Sequence, residues 1–226
     1  MPDADPEPAP TGGFTPEHGF TNDTRSTKAG VEKIFSGPSG ARRWSREVEA
    51  LQRFAGTGYP PQLVDRSRSE LRVVTRLIRG VNGAEILRAP QSTEAEGLMR
   101  SAGRVLEDLG RDGVVHGDFG PQNLLVTDEG VRVIDWEWCG ALTDPDLDAF
   151  WFDFIVRYHY PHAASLLPTF WRACGHDPDP RRGRDVLLSA FGIRVAECSP
   201  GSPAIDSWRT RRDWVMQRFA ELGPMT

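Results

Sequence analysis

An Asp, an Asn five residues on, and a second Asp closing an apolar stretch are the side chains with which a protein can orient a hydroxyl and hold a divalent cation against a nucleotide. The chain carries that set in Val115-His116-Gly117-Asp118-Phe119-Gly120-Pro121-Gln122-Asn123 and, after a short interval, in Ile134-Asp135-Trp136-Glu137. Phosphoryl transfer asks a protein for positioning and charge neutralisation: a carboxylate beside the attacking hydroxyl and hard oxygen ligands for Mg²⁺. Asp118, Asn123 and Asp135 are of the types that fill those positions. Between them, Leu124-Leu125-Val126 and Val131-Arg132-Val133-Ile134 are apolar runs joined by Thr127-Asp128-Glu129-Gly130. That pattern predicts a β-hairpin with a Gly-closed turn, which brings Asn123 and Asp135 to one end.

His116-Gly117-Asp118 with Asn123 and Ile134-Asp135-Trp136-Glu137 resembles the aminoglycoside phosphotransferase and choline kinase-like superfamily. Protein kinases have His-Arg-Asp and Asp-Phe-Gly at these places, so Gly117 and Trp136-Glu137 align the resemblance with the small-molecule branch. The resemblance implies an α+β, two-lobed protein-kinase-like fold: a small β-rich N-lobe with one helix and a larger, mostly helical C-lobe carrying the catalytic hairpin. It implies that Asp118 is the catalytic base or hydroxyl-orienting residue, that Asn123 and Asp135 are magnesium ligands, and that His116 and Asp148 brace the loop. The implied activity is transfer of the γ-phosphate of ATP or GTP, with Mg²⁺, to a hydroxyl of a small molecule: an aminoglycoside or other antibiotic, an amino alcohol or a sugar. A nucleotide-binding pseudokinase acting as a regulatory interaction module is the alternative, favoured by a thin phosphate loop and a short C-lobe.

Such a site needs a Lys on a strand for the nucleotide phosphates and a helix carboxylate to orient that Lys. Val31-Glu32-Lys33-Ile34-Phe35 predicts the strand, and of 27 basic residues only Lys28 and Lys33 are lysines. A compact ammonium at Lys33 suits a tight phosphate contact that an Arg fork does not. A helix is expected from Trp44 to Phe54; at about 100° per residue it puts Trp44, Val48, Leu51, Phe54 and Ala55 on one face, with Glu47 among them and Glu49 opposite. An inward carboxylate needs a cationic partner, and Lys33 is the natural one for Glu47. Ahead of Lys33, His18-Gly19-Phe20-Thr21-Asn22-Asp23-Thr24 is the candidate phosphate-covering loop, with Gly19, Thr21 and Asn22 presenting backbone N–H groups and small polar side chains. It resembles the Gly-x-x-Asn turn of the superfamily. Leu71-Arg72-Val73-Val74-Thr75 predicts a strand entering an inter-lobe hinge, and by the resemblance Thr75, Arg76 and Leu77 face adenine.

At 226 residues the chain accommodates one two-lobed unit. A net charge of −5 and a pI near 5.6 argue against a nucleic-acid or anionic-membrane partner. The opening residues lack the basic and apolar regions of a signal peptide, and Cys139, Cys174 and Cys198 read as reduced thiols, so a cytoplasmic protein is expected. The organisation expected is a Pro- and acid-rich disordered tail over 1–12, a nucleotide-binding N-lobe over 13–78 and a catalytic and acceptor-binding C-lobe over 79–226. In the C-lobe a helix is expected from Glu94 to Leu109, capped by Thr93 with Glu96 and stopped by Gly110. Others are expected over 162–174, 183–197 and 204–222. The aromatic segment Phe150-Trp151-Phe152-Asp153-Phe154 reads as core, and Arg209-Thr210-Arg211-Arg212 as a solvated helix face. From Ala141 to Thr226 there are 11 acidic residues and 10 Arg, so no acidic bias demands a polycationic acceptor.

Overall fold

Strands β1 (Asn22–Thr27) and β2 (Gly30–Phe35) form the antiparallel pair that carries Lys33, which stands opposite Thr24 on β1 and Val73 on β4 (Arg72–Thr75). The computed structural model that defines them describes residues 22–90, 92–176 and 179–219. The tail expected over 1–12 and the loop candidates Gly19 and Thr21 lie outside the described residues. From Asn22 onward the expected phosphate loop is strand rather than turn, because Asn22, Asp23 and Thr24 pair in register with Phe35, Ile34 and Lys33. With β3 (Leu63–Ser67) on the far edge, the sheet runs in the order β1-β2-β4-β3. Gly30 is required where β2 meets β4: its φ is +143°, and a Cβ there would lie 2.0 Å from the Thr75 carbonyl oxygen.

Helix α1 (Gly40–Arg53) packs against this sheet. It starts a full turn before Trp44 because Gly40-Ala41-Arg42-Arg43 has none of the apolar periodicity that marks the rest. It also ends at Arg53, which leaves Ala55 exposed rather than on the buried face. Glu47, Val48 and Leu51 are buried.

The larger lobe opens with β5 (Val81–Asn82), the single-turn helix α2 (Gly83–Ile86) and the long helix α3 (Thr93–Arg111). The cap of α3 is Ser92, whose hydroxyl accepts from the Ala95 N–H at 3.2 Å, rather than Thr93, and Gly110 lies inside the last turn rather than ending it. Strands β6 (Leu124–Thr127) and β7 (Gly130–Val133) make the hairpin, with Leu124 opposite Val133, and join β5 in a three-stranded sheet. Then follow α4 (Leu147–His159), a 3₁₀ turn at Pro161–Leu166 that leads into α5 (Leu167–Cys174), α6 (Pro180–Glu197) and α7 (Pro203–Trp214), extended by a π turn at Val215–Phe219. Helix α6 begins earlier than expected because the Asp179 carboxylate accepts from the Arg181 N–H at 2.9 Å around Pro180, a good first helical residue.

Aromatic residues hold the large lobe together. Phe152 stacks on Phe170 at 4.3 Å and Phe154 meets Phe191 edge-on at 5.4 Å, which ties α4 to α5 and α6. Each such pair adds about 0.5–1.5 kcal/mol beyond area burial. One Arg expected on a solvated face is not there: Arg211 is buried with its guanidinium 4.7 Å from the Trp208 ring centre, because that side of α7 faces α6. The lobes are joined by an ion pair between Arg46 of α1 and Glu197 of α6 at 3.0 Å. Among the described residues no helix is long and apolar enough to cross a membrane.

Candidate active site

The middle of β2 points Lys33 into the gap between the lobes, where three carboxylates surround it. Its ammonium donates to Glu47 at 2.8 Å, pairs with Glu137 at 3.1 Å, and contacts Asp135 directly. Glu47 arrives from the buried side of α1, Asp135 from the end of the hairpin, and Glu137 from the 3₁₀ turn Trp136–Trp138. Asp135 adopts a left-handed backbone conformation, φ 66° and ψ 62°, which swings the chain so that both Asp135 and Glu137 reach Lys33. A non-Gly residue held there costs about 1–2 kcal/mol, and the ion pairs offset it. Burial alone would pull the Lys33 ammonium down, but Asp135, Glu137 and Glu47 outweigh it and hold it well above the ordinary lysine range. Burial pushes the Glu47 carboxyl up to about 7 against the opposing pull of Lys33.

Arg43, a second buried cation from α1, donates to Asn22 at 2.9 Å, to Glu137 at 3.3 Å and to the Ser36 carbonyl at 2.8 Å. Asn22 donates to Glu137 in turn, so the start of β1 is fastened to the turn after Asp135. The sequence assigns no role to Arg43, and Glu137 enters it only as part of the Ile134-Asp135-Trp136-Glu137 motif. Glu137 had an available signal, since it lies two residues after Asp135 in a turn; Arg43 had none.

The loop before the hairpin is held from below. Asp148 of α4 accepts the backbone N–H of His116 at 2.6 Å and that of Gly117 at 2.8 Å, and burial raises its carboxyl above the usual range. The His116 ring accepts the Asp118 N–H at Nδ1, 3.2 Å, so Nε2 carries the proton and donates to the Ile134 carbonyl at 3.1 Å. Burial lowers the His116 pKa, in keeping with that neutral tautomer. Gly117 has φ +82°, and a Cβ on it would stand 2.7 Å from the Trp138 carbonyl oxygen, which leaves no room for a side chain at this position.

Asp118 receives the Asn123 amide at its carboxylate, 2.9 Å, and at its carbonyl, 2.8 Å. With its nitrogen spent on Asp118, Asn123 has its amide oxygen left for a cation. The second oxygen of the Asp118 carboxylate accepts from Arg194 of α6 at 2.9 Å. Burial raises the Asp118 carboxyl above the usual range, against the pull of Arg194. Arg194 also escaped sequence reading, because an Arg in a helix is by default solvated.

Lys33, Glu47, Thr75, Arg76, Leu77, Asn123 and Asp135 all border one inter-lobe cleft of about 220 Å³. Val31 and Val73 form its apolar wall on the sheet side, and Leu125 and Ile134 the opposite wall. An apolar cleft that ends at an ammonium suits a nucleotide base and its phosphates. A larger hollow of about 450 Å³ beside α3 and α5 contains none of these groups except Asp148. Ligand oxygens of Glu47, Asp135 and Glu137 lie within 4.8 Å of one another. These hard oxygen donors, gathered at one point, are of the kind that fits a magnesium-sized ion. Asp118 is set apart from this group, bordering the side toward α6 and α7.

A RIO domain family model matches residues 35–150. No curated protein matches the chain in sequence. Among solved structures, the chain is similar to a choline/ethanolamine kinase family protein from Mesorhizobium loti, with a TM-score of 0.63 and 17% identity over 90% of this chain and 85% of that one. It is also similar to the choline kinase LicA from Streptococcus pneumoniae, with a TM-score of 0.56 and 16% identity over 89% and 90% of the two chains. A third likeness is to APH(2")-IIa in its ternary complex with streptomycin and ATP, with a TM-score of 0.51 and 12% identity over 92% and 91%. At these identities the likeness is one of fold: a small antiparallel sheet lobe on a larger helical lobe, as in protein kinases.

Proposed function

The chain belongs to the RIO domain family, a protein-kinase-like family, and from that premise we propose that it is a phosphotransferase that moves the γ-phosphate of ATP or GTP to a hydroxyl of a small molecule. The observation that carries this reading is the convergence of Lys33 from one lobe with Asp135 and Asn123 from the other on a single cleft. In this reading Thr75, Arg76 and Leu77 seat the base, while Lys33, oriented by Glu47, takes the nucleotide phosphates. Asn22, fastened to Glu137 and Arg43 at the start of β1, is assigned to the nucleotide phosphates together with Gly19 and Thr21, which lie outside the described residues. Asp135 and Asn123 hold magnesium, with Glu137 beside them; when bound, the ion supplies charge neutralisation on the phosphates. Asp118 orients the acceptor hydroxyl and takes its proton as the O–P bond forms, while the nucleoside diphosphate leaves toward Lys33. His116 and Asp148 keep the loop in shape. The small size of the acceptor is supported by the absence of an extended segment after Asp135: α4 already begins at Leu147.

The test is nucleoside diphosphate release from Mg²⁺–ATP and Mg²⁺–GTP across aminoglycosides, amino alcohols, sugars and nucleosides, with Asp118→Asn as control. Acceptor-dependent release that vanishes in the variant is the expected result. A second reading, a nucleotide-binding regulator without turnover, is favoured by one contact, the ion pair that engages the Asp118 carboxylate with Arg194. Metal-dependent nucleotide binding lost in Asp135→Ala, with no acceptor raising release, would support that reading instead.

A further inference from the structure

Arg194 comes to the site from α6, beyond the segment 35–150 that the family model matches, and only 2% of it is exposed. Its guanidinium carbon stands 4.1 Å from the ring centre of Trp151, 4.3 Å from Trp138 and 5.0 Å from Trp208. Those three rings are supplied by α4, by the turn after Asp135 and by α7, so elements distant in sequence build one aromatic cage. Indole faces attract positive charge, and cages of this kind bind quaternary ammonium groups when they are open. Here the chain fills its own cage. From that position Arg194 donates to Asp118 at 2.9 Å and to the Gly117 carbonyl, while its buried Nε has no hydrogen-bond partner.

The space beside Arg194 offers a cation no unpaired carboxylate. A hollow of about 50 Å³ there is bordered by Ser36, Ser39, Ser199 and Ser202 and by the cations Arg43 and Arg194. Its two carboxylates are already engaged: Glu137 with Lys33 and Arg43, and Glu197 with Arg46. A further cation, Arg211, covers Trp208. A cationic acceptor that reached Asp118 would meet a filled cage, a paired carboxylate and the like charge of a guanidinium.

We propose that Arg194 determines the charge class of the acceptor: by occupying the tryptophan cage and pairing with Asp118 it excludes cationic alcohols and leaves the site to neutral or anionic hydroxyl compounds. This rests on the phosphotransferase reading above, and the test separates the two. Tryptophan emission is followed while tetramethylammonium is titrated into the full-length protein with Mg²⁺–ATP present. Wild type should give no saturable change, and Arg194→Ala should give one whose midpoint lies at least about tenfold below the highest concentration at which wild type stays linear. Arg194→Lys, which keeps the charge, should behave as wild type. A saturable response in wild type overturns the proposal whatever the variants do, including a case in which Arg194→Ala fails to fold.

Turnover is then compared for choline and its uncharged carbon isostere 3,3-dimethylbutan-1-ol. Wild type should favour the neutral alcohol by about tenfold or more in kcat/KM, through KM, and Arg194→Ala should lose that preference. Equal use of both alcohols by wild type would overturn the proposal. If no alcohol is phosphorylated at all, the phosphotransferase reading is what fails, and the emission titration still decides whether the cage is closed to cations.

Discussion

The carboxylate of Asp148 accepts the backbone N–H of Gly117 at 2.8 Å while its other oxygen takes the N–H of the neighbouring His116. One buried side chain on α4 thereby fixes two consecutive peptide groups immediately before Asp118. Replacement of Asp148 by Asn sets an amide NH₂ against one of those N–H groups and removes the charge from both bonds. Urea unfolding should show a loss of about 3 kcal/mol, accompanied by a fall in turnover with nucleotide affinity kept. A loss under about 0.5 kcal/mol would mean that the loop holds its shape without Asp148.

Gly117 and Gly113 both have positive φ, +82° and +64°, but only Gly117 is crowded, by the carbonyl of Trp138. Gly113→Ala therefore carries the conformational penalty alone, about 1 kcal/mol. Gly117→Ala adds a steric clash and should destabilise by about 2 kcal/mol more. The difference between the two thermal unfolding curves measures that clash, and equal shifts would refute it.

Glu137 adds the third carboxylate around Lys33, and its removal lowers the negative charge that attracts a divalent ion. Glu137→Gln should raise the magnesium concentration for half-maximal nucleotide binding by about tenfold or more. Lys33→Arg should weaken nucleotide binding itself, because a planar fork does not fit among three carboxylates that now hold a compact ammonium. Isothermal titration at several magnesium concentrations distinguishes the two effects.

Burial holds the His116 pKa below its ordinary 6.5, and the carboxylates of Asp148 and Asp135 do not overcome it. In the unfolded chain the ring protonates near its ordinary value. Between that value and the lower folded one the proton binds the unfolded state preferentially, so folded stability falls as pH falls through this window, by at most about 1.4 kcal/mol per pH unit. His116→Gln keeps hydrogen-bonding capacity without titrating. The unfolding free energy of wild type relative to this variant should be flat from about pH 7 to 9 and decline below 6.5. Glu47, raised to about 7, acts in the opposite sense but is common to both proteins and cancels in the difference.

Much of this site could be read from local pattern. Asn123 and Asp135 flank one hairpin, so spacing put them at one end of β6 and β7, with Asp118 tied to Asn123 five residues earlier. The buried position of Glu47 followed from 100° steps along α1. Helix starts were less legible wherever a cap replaced periodicity, as at Ser92 and Asp179. Arg43 and Arg194 were not legible because their burial depends on partners outside their own helices. Arg43 depends on Asn22 and Glu137, and Arg194 on three tryptophans from three other elements. A single helix carries no trace of rings that meet it only after folding.

The ion pair between Arg46 and Glu197 joins positions 151 residues apart, and the contact between Lys33 and Asp135 spans 102. During synthesis, then, Lys33 and Glu47 leave the ribosome well before the residues that complete their surroundings. Asp135 joins them later, and the clasp to Glu197 closes only when α6 has left the ribosome. Contacts of such long range are slow to form because loop closure precedes any reward. A chain ending before α6 lacks Arg194, so the charge that faces Asp118 is among the last parts of this site to be made.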